Sequence, residues 1–78
     1  MPRIIIYSTP GCVFCKMARE FLKSKNVPFE EKDVSNDMKA QEEMIKKTGQ
    51  LAVPVIDVDG KIIVGFDKAR LAELAGIK

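Results

Sequence analysis

Two cysteines separated by two residues constrain the fold of this chain more than any other feature of its sequence. Cys12 and Cys15 are the only cysteines, and they follow the apolar run Ile4-Ile5-Ile6-Tyr7 and the turn residues Pro10-Gly11. An apolar, β-branched run predicts a buried strand, and the amphipathic stretch 13–25 predicts a helix. A strand that leads through a tight turn into this helix places Cys12 at the helix N-terminus.

This placement predicts redox chemistry for the cysteine pair. The unpaired N–H groups and the positive end of the helix dipole favour a thiolate over a thiol at Cys12. Cys15 follows almost one helical turn later, where its sulfur can reach that of Cys12. We therefore expect Cys12 to attack a disulfide and Cys15 to resolve the mixed disulfide that forms.

Other interpretations of the two cysteines are weaker but stay open at this point. A structural disulfide across two intervening residues would remove little entropy from the unfolded chain. Zinc requires four ligands, and a chain with no histidine and no third cysteine would need a second molecule to complete the site. Two inert core cysteines are also possible, although a turn after Pro10-Gly11 is a poor place to bury them.

Length, composition and charge limit the classes of protein to be considered. Seventy-eight residues predict a single domain, 1–78, and 46% apolar residues suffice for a compact core. No stretch is long enough for a membrane span, and Met1-Pro2-Arg3 leads into a run too short for a secretory signal. We therefore expect a cytoplasmic protein. A net charge of +2 with interspersed signs gives no indication of a nucleic-acid partner.

The hydrophobic pattern predicts the order β-α-β-α-β-β-α. Strands are expected at 3–8, 29–34, 53–58 and 62–64, the last two joined by the Asp59-Gly60 turn. Helices are expected at 13–25, from a cap at Ser35 or Asn36 through Thr48, and from a cap at Asp67 to Gly76. The charges of residues 30–33 suggest that the second strand lies at a sheet edge.

Each predicted helix carries an apolar stripe that we expect to face the core. These stripes are Val13, Met17 and Phe21/Leu22 in the first helix, Met38, Gln41, Met44 and Ile45 in the second, and Ala69, Leu71, Leu74 and Ala75 in the third. Strands joined through a helix should be parallel and the final hairpin antiparallel, which gives an α/β fold with helices on both faces of a mixed four-stranded sheet.

Three short segments give this chain a resemblance to the glutaredoxin-like branch of the thioredoxin-fold family. They are Cys12-Val13-Phe14-Cys15, Val53-Pro54 and Gly65-Phe66-Asp67, and the likeness covers essentially the whole chain. The resemblance implies a thioredoxin-like three-layer fold with sheet order 2-1-3-4 and three flanking helices. It also implies that the loops carrying the second and third segments converge on the cysteines.

The resemblance further implies roles for individual residues. The Val53-Pro54 peptide bond would be cis, which leaves the Val53 N–H and C=O free to pair with glutathione or an extended peptide. Gly65, Phe66 and Asp67 would receive the γ-glutamyl end of glutathione, although a turn, a core side chain and a helix cap explain them equally well. Phe14 would pack over the substrate or shield Cys15.

The remaining site prediction concerns charge and cofactors. Lys16 would add positive potential near the thiolates, or is simply a solvated helix charge. No metal site and no tightly bound cofactor are expected, with glutathione as a possible co-substrate.

The sequence also departs from the glutaredoxin pattern at three positions. Thr9 stands where these proteins typically carry Lys or Arg, Ala52 stands where many carry Thr, and Lys68 replaces an acidic residue. Each change removes or alters a polar contact to glutathione. The electron donor is therefore expected to be glutathione or, preferentially, a thioredoxin-reductase-type flavoprotein.

The functional prediction is a monomeric thiol-disulfide oxidoreductase that reduces protein or glutathione mixed disulfides. Two alternatives remain. The first is a non-catalytic thiol module that binds a partner or a metal cluster. The second is an electron donor dedicated to ribonucleotide reductase, because Val13 and the Gly65-Phe66 pair are similar to the small redoxins that serve that enzyme.

Overall fold

The computed structural model describes residues 3–77 and contains four strands and three helices. The elements are β1 (Ile4–Ser8), α1 (Val13–Ser24), β2 (Glu30–Asp33), α2 (Met38–Thr48), β3 (Val55–Val58), β4 (Lys61–Val64) and α3 (Lys68–Ala75). The order is the predicted one. No helix within residues 3–77 has the length and apolar composition needed to cross a membrane.

The four strands form one mixed sheet in the order β2-β1-β3-β4. β1 pairs with β2 in parallel and with β3 antiparallel, and β3 and β4 form an antiparallel hairpin. The predicted fold class and sheet order are therefore confirmed. Strand β2, with its four charged residues, lies at a sheet edge as the charges suggested.

Two apolar clusters, one on each face of the sheet, form the core. Alternate residues of β1 point to opposite faces, so Ile4 and Ile6 belong to one cluster and Ile5 and Tyr7 to the other. The first cluster joins the sheet to α1 and α3 through Ala18, Leu22 and Leu71. The second joins it to α2 through Ala40 and Met44. This arrangement makes three layers.

The buried faces of the helices differ from the predicted stripes. In α1 the buried residues are Cys15, Ala18 and Leu22, whereas Val13 and Met17 are exposed and Phe21 is partly buried. In α2 the buried residues are Ala40 and Met44, whereas Met38 and Ile45 are exposed and Gln41 is half-buried. In α3 Leu71 is buried, Leu74 and Ala75 pack beside it, and Ala69 is exposed.

The physical reason for the difference in α1 and α2 is the same. Small residues, Ala18 and Ala40, occupy the line of closest approach to the sheet, because a helix packs tightly where its side chains are short. A prediction that weighs only hydrophobicity assigns that line to the larger apolar side chains next to it.

The cap of α2 is also a correction. Asp37, and neither Ser35 nor Asn36, is the N-cap, and its carboxylate accepts a hydrogen bond from the Ala40 N–H at 3.1 Å. Ser35 and Asn36 are instead bound to the Asp33 carboxylate, which accepts from the Ser35 hydroxyl at 2.6 Å and from the Asn36 amide at 2.8 Å. Hydrogen bonds from the Ser35 hydroxyl, the Ser35 N–H and the Asn36 amide, in that order, lower the pKa of Asp33 below its usual value.

The third strand begins two residues later than predicted. Val53 and Pro54 precede the ladder, which starts at Val55 opposite Tyr7. The hairpin turn is as predicted, because Asp59 and Gly60 both adopt positive φ, 55° and 91°. Two positive-φ residues match the right-handed twist of the flanking strands.

Candidate functional site

The two cysteines lie where β1 turns into α1. Gly11 adopts φ 82°, which reverses the chain after Pro10, and Cys12 is the N-cap of α1. Cys12 and Cys15 are joined by a disulfide, with their Cα atoms 5.2 Å apart. The turn, the cap and the pairing all match the sequence prediction.

The surroundings of the two sulfurs differ. The Cys15 N–H donates to Cys12 Sγ at 3.1 Å, so the sulfur occupies the position of a capping oxygen. Cys12 is partly exposed, whereas Cys15 is completely buried. A backbone donor and the helix N-terminus therefore both act on the sulfur that solvent and a substrate can reach.

The first residues of α1, which are neighbours of the cysteines in the sequence, expose large apolar side chains to solvent. Val13, Phe14 and Met17 are all exposed, with Phe14 at 59%. Exposed large apolar residues grouped around a reactive centre are typical of a binding surface. Lys16 is exposed next to them and has no ion pair within the described residues.

Val53 and Pro54 lie beside the cysteine turn because of the β1–β3 register. Tyr7 is opposite Val55, and extending this antiparallel register places Val53 opposite Thr9, whose carbonyl accepts from the Cys12 N–H at 3.3 Å. The Val53-Pro54 peptide bond is cis, as the resemblance implied. Within residues 3–77 the N–H and C=O of Val53 form no hydrogen bond.

The segment Gly65-Phe66-Asp67 is tied to the same corner of the fold. The Gly65 N–H donates to the Pro54 carbonyl at 2.7 Å. Phe66 packs against Phe21, with ring centroids 6.2 Å apart, and lines a surface cavity together with Met17. Asp67 caps α3 through the Arg70 N–H at 3.1 Å. The structure thus gives Phe66 and Asp67 packing and capping contacts.

A small cavity beside Val53 was not predicted from the sequence. It has a volume of about 190 Å³, and we call it the Leu51 cavity. Its lining residues are uncharged: Thr9, Val34, Ser35, Gln41, Leu51, Ala52 and Val53. Leu51, an apolar residue between the Gly49-Gln50 turn and the third strand, is 67% exposed and is the one signal that could have indicated it.

A polar network on the α2 face of the sheet also escaped the sequence prediction. Lys47 Nζ donates to Asp57 Oδ2 at 2.6 Å and to Tyr7 Oη at 2.7 Å, and Tyr7 Oη donates to Glu43 Oε1 at 3.1 Å. Lys32 donates to the same Glu43 oxygen at 3.2 Å. This network joins the C-terminal half of α2 to the sheet.

The network changes the pKa of two of its members. Burial lowers the pKa of Lys47, but the hydrogen bonds to Asp57 and Tyr7 outweigh it and the net pKa lies above its usual value. Hydrogen bonds from Lys32 and then Tyr7 lower the pKa of Glu43. Both groups are therefore charged at neutral pH.

Comparisons with known proteins agree with this geometry. The glutaredoxin family model matches residues 4–63. The chain is 54% identical over 71 residues to an uncharacterized glutaredoxin-like protein in a rubredoxin operon of Clostridium pasteurianum, covering 91% of this chain and 95% of that one. It is 37% identical over 67 residues to glutaredoxin 3 of Escherichia coli K12, covering 86% and 81%.

Solved structures of thioredoxin-like and glutaredoxin proteins have the same fold as this chain. A mutant of a protein described as thioredoxin-like superposes with a TM-score of 0.93 at 33% identity, over the full length of both chains. A glutaredoxin from Archaeoglobus fulgidus superposes with a TM-score of 0.84 at 29% identity, over 95% of this chain and 86% of that one.

Proposed function

This chain belongs to the glutaredoxin family, and from that premise we propose that it reduces protein and glutathione mixed disulfides through Cys12 and Cys15. The family and the cysteine pair together support a thiol redox role. The observation that carries the finer proposal is the asymmetry of the pair: the partly exposed Cys12 accepts a helix N-terminal hydrogen bond, and Cys15 is buried behind it.

In the first step the Cys12 thiolate attacks one sulfur of the substrate disulfide. The substrate S–S bond breaks, a Cys12–substrate disulfide forms, and the first substrate sulfur leaves as a thiolate. In the reduced protein, the Cys15 N–H that points at Cys12 Sγ stabilises negative charge on this sulfur. Cys12 is therefore the attacking residue.

In the second step Cys15 resolves the intermediate. Its thiolate attacks Cys12 Sγ, the Cys12–substrate bond breaks, and the second substrate sulfur leaves as a thiolate. Two electrons have passed from the protein to the substrate, solvent supplies the protons, and the Cys12–Cys15 disulfide has formed. Two thiols of an electron donor then reverse this disulfide by the same exchange.

Substrate docking uses the corner around the cysteines. The unpaired N–H and C=O of Val53 pair with the backbone of the residue that carries the substrate sulfur, as in the addition of a short β-strand. Phe14 contributes an exposed apolar surface beside the sulfurs, and Lys16 contributes positive charge. Pro54, Gly65, Phe66 and Asp67 hold this corner in place through the contacts given above.

The electron donor that we propose is a thioredoxin-reductase-type flavoprotein in preference to glutathione. Thr9 and Ala52, where cationic and hydroxyl contacts to glutathione are expected, both line the uncharged Leu51 cavity. Losing one charged hydrogen bond, worth about 1.5–3 kcal/mol, weakens docking by roughly an order of magnitude or more.

A coupled assay tests the function and the donor together. NADPH oxidation is followed with one peptide disulfide as substrate, once with glutathione and glutathione reductase and once with thioredoxin reductase from the source organism. We expect turnover in both, with the faster rate in the second, and none for Cys12→Ser. Fast turnover with glutathione, and none with thioredoxin reductase, would reject the flavoprotein as the preferred donor. Activity that survives in Cys12→Ser would reject the role of Cys12.

A further inference from the structure

The Leu51 cavity opens next to the free backbone of Val53 and carries no charge. We propose that this cavity receives an apolar side chain of the protein substrate, from a residue next to the substrate cysteine. The proposal rests on the proposed function, and it adds a substrate class: disulfides flanked by leucine, methionine or phenylalanine, in preference to acidic neighbours or to the glycine carboxylate of glutathione.

The first step of the argument is the position of the cavity relative to the docked backbone. Val53 supplies both the unpaired N–H and C=O and part of the cavity wall, and Thr9, opposite it, supplies another part. Thr9 is bound through its carbonyl to the N–H of Cys12. A peptide that pairs with Val53 while its sulfur meets Cys12 must therefore present a neighbouring residue to the cavity.

The second step is the chemistry of the lining. Val34, Leu51, Ala52 and Val53 are apolar, and the polar lining residues are neutral. The volume of about 190 Å³ exceeds the ~150 Å³ of an apolar cavity that accepts benzene, so a leucine or phenylalanine side chain fits. Leu51 stands exposed at the rim, where a ligand side chain would cover it.

The third step concerns charge at the rim. The Asp33 carboxylate is bound to the hydroxyl of Ser35, a lining residue, at 2.6 Å. One N–H of the neighbouring N-terminus of α2, that of Ala40, already donates to the Asp37 carboxylate, which adds a second negative charge there. A substrate carboxylate entering here would meet a negative charge and no lining cation.

Six end-capped peptide disulfides of nearly equal shape test the proposal. Each is a disulfide-linked dimer of a glycine-rich peptide with one cysteine. In the first series the residue immediately before the cysteine is Leu, Asn or Asp, and in the second series the residue immediately after it is varied in the same way. Pre-reduced protein is mixed with each dimer, and the second-order rate of thiol release is measured in a single turnover, without any donor. In the series whose varied residue enters the cavity, we expect the rate to fall in the order Leu, Asn, Asp, with Leu roughly tenfold faster than Asp. In the other series the rate should vary little.

Two variants make the test specific. Leu51→Asp adds a charge at the exposed rim and should remove most of the preference for Leu. Ala69→Asp adds the same charge at an exposed position of α3, on the opposite face of the sheet, and should leave the preference unchanged. Equal rates for Leu and Asp in both series would overturn the proposal while leaving the oxidoreductase intact. Failure to reduce any peptide would reject the proposed function and this proposal with it.

Discussion

Replacing Lys47 with methionine should destabilise the fold more than any other single lysine substitution on α2. Lys47 Nζ lies 2.6 Å from Asp57 Oδ2 and 2.7 Å from Tyr7 Oη, and the side chains of Lys47 and Asp57 are only 30% and 10% exposed. Methionine preserves the length of the side chain and removes the charge. The Asp57 carboxylate then stays buried, with the Gly60 N–H at 2.7 Å as its remaining partner.

The expected loss in the free energy of unfolding can be estimated from this geometry. Breaking a fully buried ion pair costs about 3–5 kcal/mol. The partial exposure of Lys47 and the retained bond from Gly60 reduce this to about 2–3 kcal/mol. A domain of this length has a stability of roughly 4–12 kcal/mol, so the loss is a large fraction of the total. The melting temperature should fall by roughly 10–20 °C.

Lys46→Met is the matched control. Lys46 is exposed, lies in the same last turn of α2 and has no ion pair within the described residues, so the two variants lose the same helix-end interaction. Denaturant unfolding at pH 7 measures the difference. If Lys47→Met unfolds within about 1 kcal/mol of Lys46→Met, the network does not stabilise α2 as we reason here.

The pH dependence of the free energy of unfolding is a second test of the contribution of Lys47. The raised pKa of Lys47 means that its contribution is fully present below the unfolded pKa, near 10.5, and is lost as the pH rises through the folded pKa. The gap between the two variants should therefore narrow as the pH rises above about 10.5, and a gap that is constant between pH 7 and pH 11 would contradict the assignment.

Three further predictions concern the site. Limited iodoacetamide treatment of the reduced protein, mapped by mass spectrometry, should label Cys12 before Cys15, because Cys12 is more exposed and lies at the helix N-terminus; the opposite order would reverse the roles. Thr9→Lys should raise glutathione-linked turnover roughly tenfold by supplying a cation to the Leu51 cavity, and an unchanged rate would remove the carboxylate argument. Asp67→Ala should cost about 1 kcal/mol in thermal unfolding through loss of a helix cap, with Asp37→Ala as a control of the same 3.1 Å geometry; a loss in Asp37→Ala alone would contradict it.

Local signals in the sequence predicted the elements and the position of the cysteines. The Pro10-Gly11 turn, the Asp59-Gly60 hairpin and the Asp67 cap each depend on residues within a few positions, so they can be inferred without knowing the rest of the fold. The sheet order came from the resemblance and not from the pattern itself.

Features that depend on distant residues were missed or wrong. The buried residues of α1 include Cys15 and Ala18 because that side of the helix packs against the sheet. The hydrophobicity of the α1 sequence alone does not identify that side. The Lys47–Asp57 pair joins α2 to β3, and the only signal for it in the sequence was an acidic residue within the otherwise apolar strand 55–58. The Leu51 cavity forms where the segments after β1 and after β2, helix α2 and the loop before β3 meet.

Trapping the reaction intermediate tests the central claim most directly. In Cys15→Ser the first exchange can occur but no thiol remains to resolve it. We predict that mixing this variant, in its reduced form, with a peptide disulfide yields a mixed disulfide that carries one peptide on Cys12, is stable for minutes and is reversed by dithiothreitol, whereas the wild-type protein accumulates none. The account is contradicted if Cys15→Ser forms no adduct under conditions in which the wild type reduces the peptide, or if Cys12→Ser forms one on Cys15 at the same rate.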